Sequence, residues 1–194
     1  MINIGILALQ GAVREHAKAL EAPDVNVIVV KRTEQLDELD GLVFPGGEST
    51  TMRRLIDKYG FFEPLKAFAG SGKPMFGTCA GAILMATEIK GQEHPHLAVM
   101  DMTVERNAFG RQRESFEAPL KVKEIGEDVH GVFIRAPIIE RVGPAVDVIA
   151  EYDGDIVAAK QGNFLACSYH PELTDDDRMH QYFASMVRKN HVPA

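Results

Sequence analysis

Cys79, in the run Phe76-Gly77-Thr78-Cys79-Ala80-Gly81-Ala82-Ile83-Leu84, and His170, in His170-Pro171-Glu172, supply a nucleophile and a base in one chain. A Gly-x-Cys-x-Gly run after an apolar β-like stretch and before a helical one predicts a nucleophile elbow, a sharp strand-to-helix turn that lifts one side chain clear of a sheet. The flanking glycines let the backbone tighten where a Cβ would collide. The helix that follows aims unpaired N–H groups and a positive dipole end at the sulfur. Both effects favour thiolate over thiol, whose ordinary pKa of about 8.5 leaves little nucleophile at neutral pH.

His170 has the chemistry of the base, and later the acid, that acyl transfer from an amide requires, because ammonia leaves only when protonated. Glu172 lies two residues on. If the strand from Leu165 to His170 continues extended through Pro171, positions 170 and 172 project to the same side, and the carboxylate fixes the imidazole tautomer. Cys167 is the rival nucleophile. Strand alternation turns it to the face opposite His170, which makes it a core residue.

Pro45-Gly46-Gly47-Glu48-Ser49-Thr50 is a glycine-rich turn between a strand and a helix, without the Gly-Lys-Ser/Thr of a P-loop. In a parallel sheet it lies at the same carboxyl edge as Cys79. There the N–H of Gly47 can act with that of Ala80 as an oxyanion donor pair. Gly70-Ser71-Gly72-Lys73-Pro74 follows a helix and precedes a strand, so it is a helix stop. His94-Pro95-His96 lacks neighbouring Cys or carboxylate ligands and reads as a solvated turn rather than a metal site. Arg106 and Arg135 are the cations best placed to meet a substrate carboxylate. Gln10, just past the first strand, falls at the same sheet edge as Gly47 and Cys79.

Elements must bring these positions together. The first half alternates strand and helix, the pattern of βα units on a mainly parallel sheet covered on both faces. Strands are expected over Ile2–Leu9, Val25–Val30 (an apolar run of the kind buried on both faces), Gly41–Phe44 and Pro74–Thr78. Helices are expected over Ala12–Ala22, from a cap at Ser49 through Ile56, and over Phe62–Ala69. From Leu97 to about Val122 a loose alternation broken at Asn107–Gly110 predicts an antiparallel excursion. Strand signals return at Gly131–Ile134, Val146–Tyr152, Ile156–Lys160 and Phe164–Tyr169, with turns at Asp153-Gly154 and Gly162-Asn163. A last helix opens at Thr174 and Asp175-Asp176-Asp177 and ends near Arg188-Lys189.

The 194 residues suit one domain spanning 1–194, with 45% hydrophobic and 25% charged residues. A net charge of −7 supplies no basic field for nucleic acid. Two distant cysteines make neither a disulfide framework nor a zinc knuckle, which fits a reducing, cytoplasmic setting. The apolar N-terminus lacks a basic leader and reads as a buried strand. No run approaches the roughly 20 apolar residues that span a bilayer.

Taken together, Pro-Gly-Gly at 45–47, Gly-x-Cys-x-Gly at 77–81 and His-x-Glu at 170–172 resemble the class I, triad-type glutamine amidotransferases. Leu9-Gln10-Gly11-Ala12, Gly46 to Thr51, Val104-Glu105-Arg106-Asn107, Phe133 to Pro137 and Cys167 to Glu172 further resemble the glutaminase subunits of pyridoxal 5′-phosphate synthase, over nearly the whole chain. The resemblance implies a flavodoxin-like, three-layer αβα fold and hydrolysis of L-glutamine to glutamate and ammonia, with no cofactor. Cys79 would be the nucleophile, His170 the base and acid, and Glu172 its orienter. Gly47, Glu48, Ser49, Arg106, Ile134 and Arg135 would contact glutamine, and Gln10 would gate the oxyanion site on docking. The ammonia would pass to a synthase (lyase) subunit, one glutaminase to each, that builds the product from ribose 5-phosphate and glyceraldehyde 3-phosphate. Another Cys-dependent α/β enzyme, DJ-1/PfpI-like or dienelactone-hydrolase-like, and a catalytically silent regulatory subunit are the alternatives. The α/β-hydrolase order of nucleophile, acid, His differs from the order here.

Overall fold

The computed structural model describes residues 1–109 and 114–191. Gly110, at the end of the expected Asn107–Gly110 break, lies outside the described residues. Five neighbouring strands run parallel in the order β2 (Val25–Val30), β1 (Ile2–Leu7), β3 (Gly41–Phe44), β4 (Met75–Thr78), β12 (Phe164–Cys167). Their carboxyl ends therefore form one edge. Beyond β12 the sheet turns mixed, through β11 (Asp155–Gln161), β9 (Ile138–Val142), β6 (Met100–Glu105) and β5 (Ala86–Ile89). Strand β10 (Asp147–Tyr152) pairs antiparallel with β11.

Alternation along the strands sends side chains to two cores. Leu42 and Phe44 pack on one face with Met52 and Ile56 of α2 (Ser49–Lys58) and Leu65 of α3 (Phe62–Gly70). Val43, Phe76, Leu165 and Cys167 pack on the other with Leu20, which closes α1 (Val13–Ala19), and Phe183 of α5 (Arg178–Asn190). This is the three-layer α/β, flavodoxin-like arrangement, with an antiparallel ribbon of β7 (Ser115–Val122) and β8 (Gly126–Ile134) added to it. Stacked Phe116 and Phe133, with centroids 4.6 Å apart, join Phe109, Tyr152 and Tyr169 in an aromatic cluster that fastens the ribbon to the sheet.

Several elements differ from expectation. β2 is an edge strand with only Val30 fully buried, because among the described residues nothing pairs beyond it. Helix α2 is capped by Glu48 rather than Ser49: the Glu48 carboxylate accepts the N–H groups of Thr50 and Thr51, and Ser49 is a buried first-turn residue. α5 begins at Arg178, after the acidic run instead of within it. β12 stops at Cys167, and Pro171–Leu173 forms a 3₁₀ turn where extended chain was expected. The short strands β5 and β9 were not anticipated, since four or five residues carry too few alternations to register.

Candidate active site

Cys79 joins β4 to α4 (Ala80–Met85) with φ 52° and ψ −110°, a conformation few L-residues adopt. The surroundings hold it there. Its N–H bonds the Cys167 carbonyl on β12 at 2.9 Å, and its own carbonyl accepts from Ala82 and Ile83 at 3.0 and 3.3 Å. Gly81 lets α4 settle onto β3; a Cβ there would be driven into the carbonyl oxygen of Phe44. The cysteine is 6% exposed, reachable but largely shielded from water.

His170 stands over the elbow, with Gly46 between them. A Cβ on Gly46 would lie 2.5 Å from His170 Cε1 and 3.5 Å from Cys79 Cβ, so only glycine leaves the two side chains this close to the turn. The 3₁₀ turn brings Glu172 back beneath the imidazole, with Nδ1 to Oε1 at 2.6 Å. Extended chain is thus not what unites positions 170 and 172. The His170 N–H is held by the Val132 carbonyl of the ribbon at 2.7 Å. Burial opposes charge on His170, yet hydrogen bonds to the Cys79 sulfur and the Glu172 carboxylate outweigh it and raise its pKa to about 10. The site favours an imidazolium beside the sulfur.

The Pro45–Ser49 turn faces the elbow from β3. Gly47 has φ 148°, and Gln10 occupies the space its side chain would need. Gln10 Oε1 accepts the Glu48 N–H at 2.7 Å, tying the end of β1 to the turn. Burial disfavours the Glu48 charge, but the hydrogen bonds from Thr51 and Thr50 prevail and lower its pKa to about 2. Its carboxylate is therefore committed to the helix cap.

Ile134, at the end of β8, turns its carbonyl to within 4.0 Å of the Cys79 sulfur. Arg135 does not follow a strand of the main sheet. It leaves the separate ribbon instead, with φ 46°, its N–H on the Glu114 carbonyl at 2.6 Å and its side chain exposed. Arg106 reaches Thr50 Oγ1 of α2 at 3.4 Å, and the Gln92 side-chain amide, its oxygen assigned to the side facing the guanidinium by hydrogen-bond complementarity, lies 3.0 and 3.1 Å from the two terminal nitrogens. Thus Gly46, Ala80, His170 and Ile134 stand against Cys79, with Gln10 tied to the 45–49 turn and Arg106 reaching the first turn of α2.

Cys167 is fully buried, its S–H on the Tyr169 carbonyl at 3.5 Å, and burial pushes its thiol well above the ordinary range. His94 is exposed and His96 half-buried, and among the described residues no cluster of metal-ligating side chains forms. No helix among the described residues is long and apolar enough to cross a membrane.

Sequence reasoning passed over two residues here. His16 of α1 lies fully buried behind Glu172, and His180 of α5 lies fully buried behind His16. The signal was available: His16 shares the apolar face of α1 with Val13 and Leu20, at helical spacing.

The SNO glutamine amidotransferase family model matches residues 6–189. The chain belongs to that family. A protein of Halalkalibacterium halodurans called pyridoxal 5′-phosphate synthase subunit PdxT is 69% identical, covering 97% of this chain and 96% of its own length. A Geobacillus protein of the same name is 64% identical, covering 97% and 98%. A crystal structure titled glutamine amidotransferase superposes with a TM-score of 0.89 at 47% identity, covering 95% of this chain and 98% of that one. PurLQS from Thermotoga maritima, at 17% identity, a TM-score of 0.70, and 98% and 100% coverage, shares the fold alone.

Proposed function

We propose that this protein is the glutaminase subunit of a pyridoxal 5′-phosphate synthase, hydrolysing L-glutamine with Cys79, His170 and Glu172 as its triad. The observation that carries the reading is the 2.6 Å contact between His170 and a fully buried Glu172 carboxylate, next to a cysteine lifted on a left-handed turn. Family membership and the names of the relatives agree with it. A silent subunit would have no need to keep this costly geometry.

In this mechanism the Cys79 thiolate attacks the carboxamide carbon of glutamine. The N–H groups of Gly47 and Ala80 receive the oxyanion that develops. His170, held as imidazolium by Glu172, gives its proton to the departing nitrogen, and ammonia leaves a γ-glutamyl thioester. The now neutral His170 takes a proton from water, the hydroxide attacks the thioester, and glutamate departs with the thiolate restored. Glu48 shapes the turn, and Ser49 and Ile134 line the approach with their backbones. Arg106 and Arg135 bind the substrate α-carboxylate, which a guanidinium recognises with two parallel hydrogen bonds. In the cytoplasmic complex, one glutaminase to each synthase subunit, the ammonia passes on without release to solvent.

The test uses the mixture with a candidate synthase subunit, supplied with amide-¹⁵N glutamine, ribose 5-phosphate and glyceraldehyde 3-phosphate. The label should appear in pyridoxal phosphate, and diazo-oxo-norleucine should add one equivalent of inhibitor, less the dinitrogen it expels, to the peptide holding Cys79. Inhibitor on Cys167, or glutamine hydrolysis surviving Cys79→Ala, overturns the assignment.

A further inference from the structure

The triad leaves one oxygen unexplained. Glu172 Oε2 is buried without a hydrogen-bond partner among the described residues, and the group nearest to pairing with it is His16 Nε2 at 3.6 Å. The same nitrogen faces Thr78 Oγ1 of β4 at 3.4 Å, and on its other side His16 Nδ1 meets His180 Nε2 at 2.8 Å. His180 in turn packs edge-on against Phe76, and its Nδ1 has no partner. Three imidazoles and one carboxylate thus run in a line from α5 through α1 to the sulfur, buried except at His170.

Proton placement in this line has one economical solution. If His16 carries its proton on Nε2, it donates toward Glu172 and Thr78, its Nδ1 accepts from His180 Nε2–H, and the atom left over, His180 Nδ1, is a bare lone pair. The reverse tautomer points a lone pair of His16 at the carboxylate and strands an N–H on His180 Nδ1. A buried donor without an acceptor is costly, and two facing lone pairs repel. Both imidazoles are held neutral: burial, then the nearby His180 and His170, lower the pKa of His16, and burial alone lowers that of His180.

We propose that His16 is a positioning residue for the triad, its Nε2–H facing the second oxygen of Glu172 across 3.6 Å as a charge–dipole contact, with His180 fixing its tautomer from behind. This rests on the reading of Glu172 as the orienter of His170. His16 touches neither glutamine nor sulfur; it acts by holding the carboxylate square to His170.

The experiment is a double-mutant cycle in the complex with the synthase subunit, measuring glutamine hydrolysis. His16→Leu should lower kcat by about fivefold or more with little change in KM, and should cost nothing further once Glu172 is already Gln, as coupled neighbours behave. His16→Gln, whose amide N–H can replace Nε2–H, should recover most of the loss. A smaller effect of His16→Leu, or an equal loss in the Glu172→Gln background, overturns the proposal. Should His16→Leu fail to fold, ¹⁵N-histidine spectra of the unaltered protein decide: a proton on His16 Nε2 supports it, and one on Nδ1 overturns it. Cys79→Ala separates the outcomes, since hydrolysis surviving that change removes the triad itself and not merely its support.

Discussion

Gln10 and Glu48, on neighbouring strands' ends, are joined by a side-chain to backbone hydrogen bond of 2.7 Å, so the turn carrying Gly47 cannot move without Gln10. The loop after β1 therefore has a direct hold on the backbone proposed to receive the oxyanion. A partner that shifts Gln10 would re-aim the Gly47 N–H, and one preorganised donor is worth about 10²–10³ in rate. The isolated chain should release ammonia slowly, the synthase subunit should accelerate it, and Gln10→Ala should blunt that acceleration while leaving the melting temperature nearly unchanged. Equal ammonia release by the chain alone and by the mixture would remove the gating role.

Glu172→Gln should keep the fold yet cut turnover by at least about tenfold, because an amide still bonds the imidazole but does not stabilise its charge. The pH profile adds a sign. His170 is raised to about 10, so the imidazolium is fully favoured below its ordinary value near 6.5 and is lost as pH climbs through about 10. Removing the carboxylate takes away one of the supports, so the alkaline limb of kcat/KM should move to lower pH. A limb that stays in place would detach Glu172 from the proton chemistry.

Arg106→Ala should raise KM more than it lowers kcat, since a clamp on the α-carboxylate acts alike in ground and transition states. Saturation curves for glutamine decide it. An unchanged KM would transfer the carboxylate contact to Arg135.

Acid should weaken the fold through the buried histidines. An imidazole harder to protonate folded than unfolded makes the unfolded chain bind more protons, so stability declines as pH drops below about 6.5. For His180 the decline continues toward its folded value of about 3. Glu48 and Asp176, lowered to about 2, contribute only where carboxylates titrate, below about 4. Urea midpoints between pH 6.5 and 4.5 should therefore fall less steeply in His180→Gln, which keeps a hydrogen-bonding group but removes the titration.

Much of this could be read from sequence because the residues carrying it sit in short, constrained runs. Gly81 stands two residues after Cys79 where a Cβ would meet the Phe44 carbonyl, and the His170-Pro171-Glu172 run names a pair two residues apart, although not the 3₁₀ turn that joins it. The parallel half of the sheet was legible for a similar reason, its strands being bounded by Gly and Pro. What escaped depended on partners distant in the chain. Nothing near Val25–Val30 says that no strand lies beyond it. Glu48 displaced Ser49 as the cap because its longer, charged side chain could fold back onto two amides at once. His16 looked like an ordinary helix residue, since its meaning comes from His180, 164 positions away.

Last in chain order among the strands of the described residues, β12 lies inside the sheet, between β4 and β11. Its carbonyl at Cys167 anchors the Cys79 amide, and the segment leaving it delivers His170 and Glu172. During synthesis, then, a ribosome can expose the proposed nucleophile and its elbow sequence long before the proposed centre exists. The gap beside β4 stays open until the final segments emerge and slot into it, a late and long-range closure of the kind that slows folding. On the proposed function, truncated translation products would carry the cysteine without its histidine and carboxylate, and so would not drain the glutamine pool of the cell that makes them.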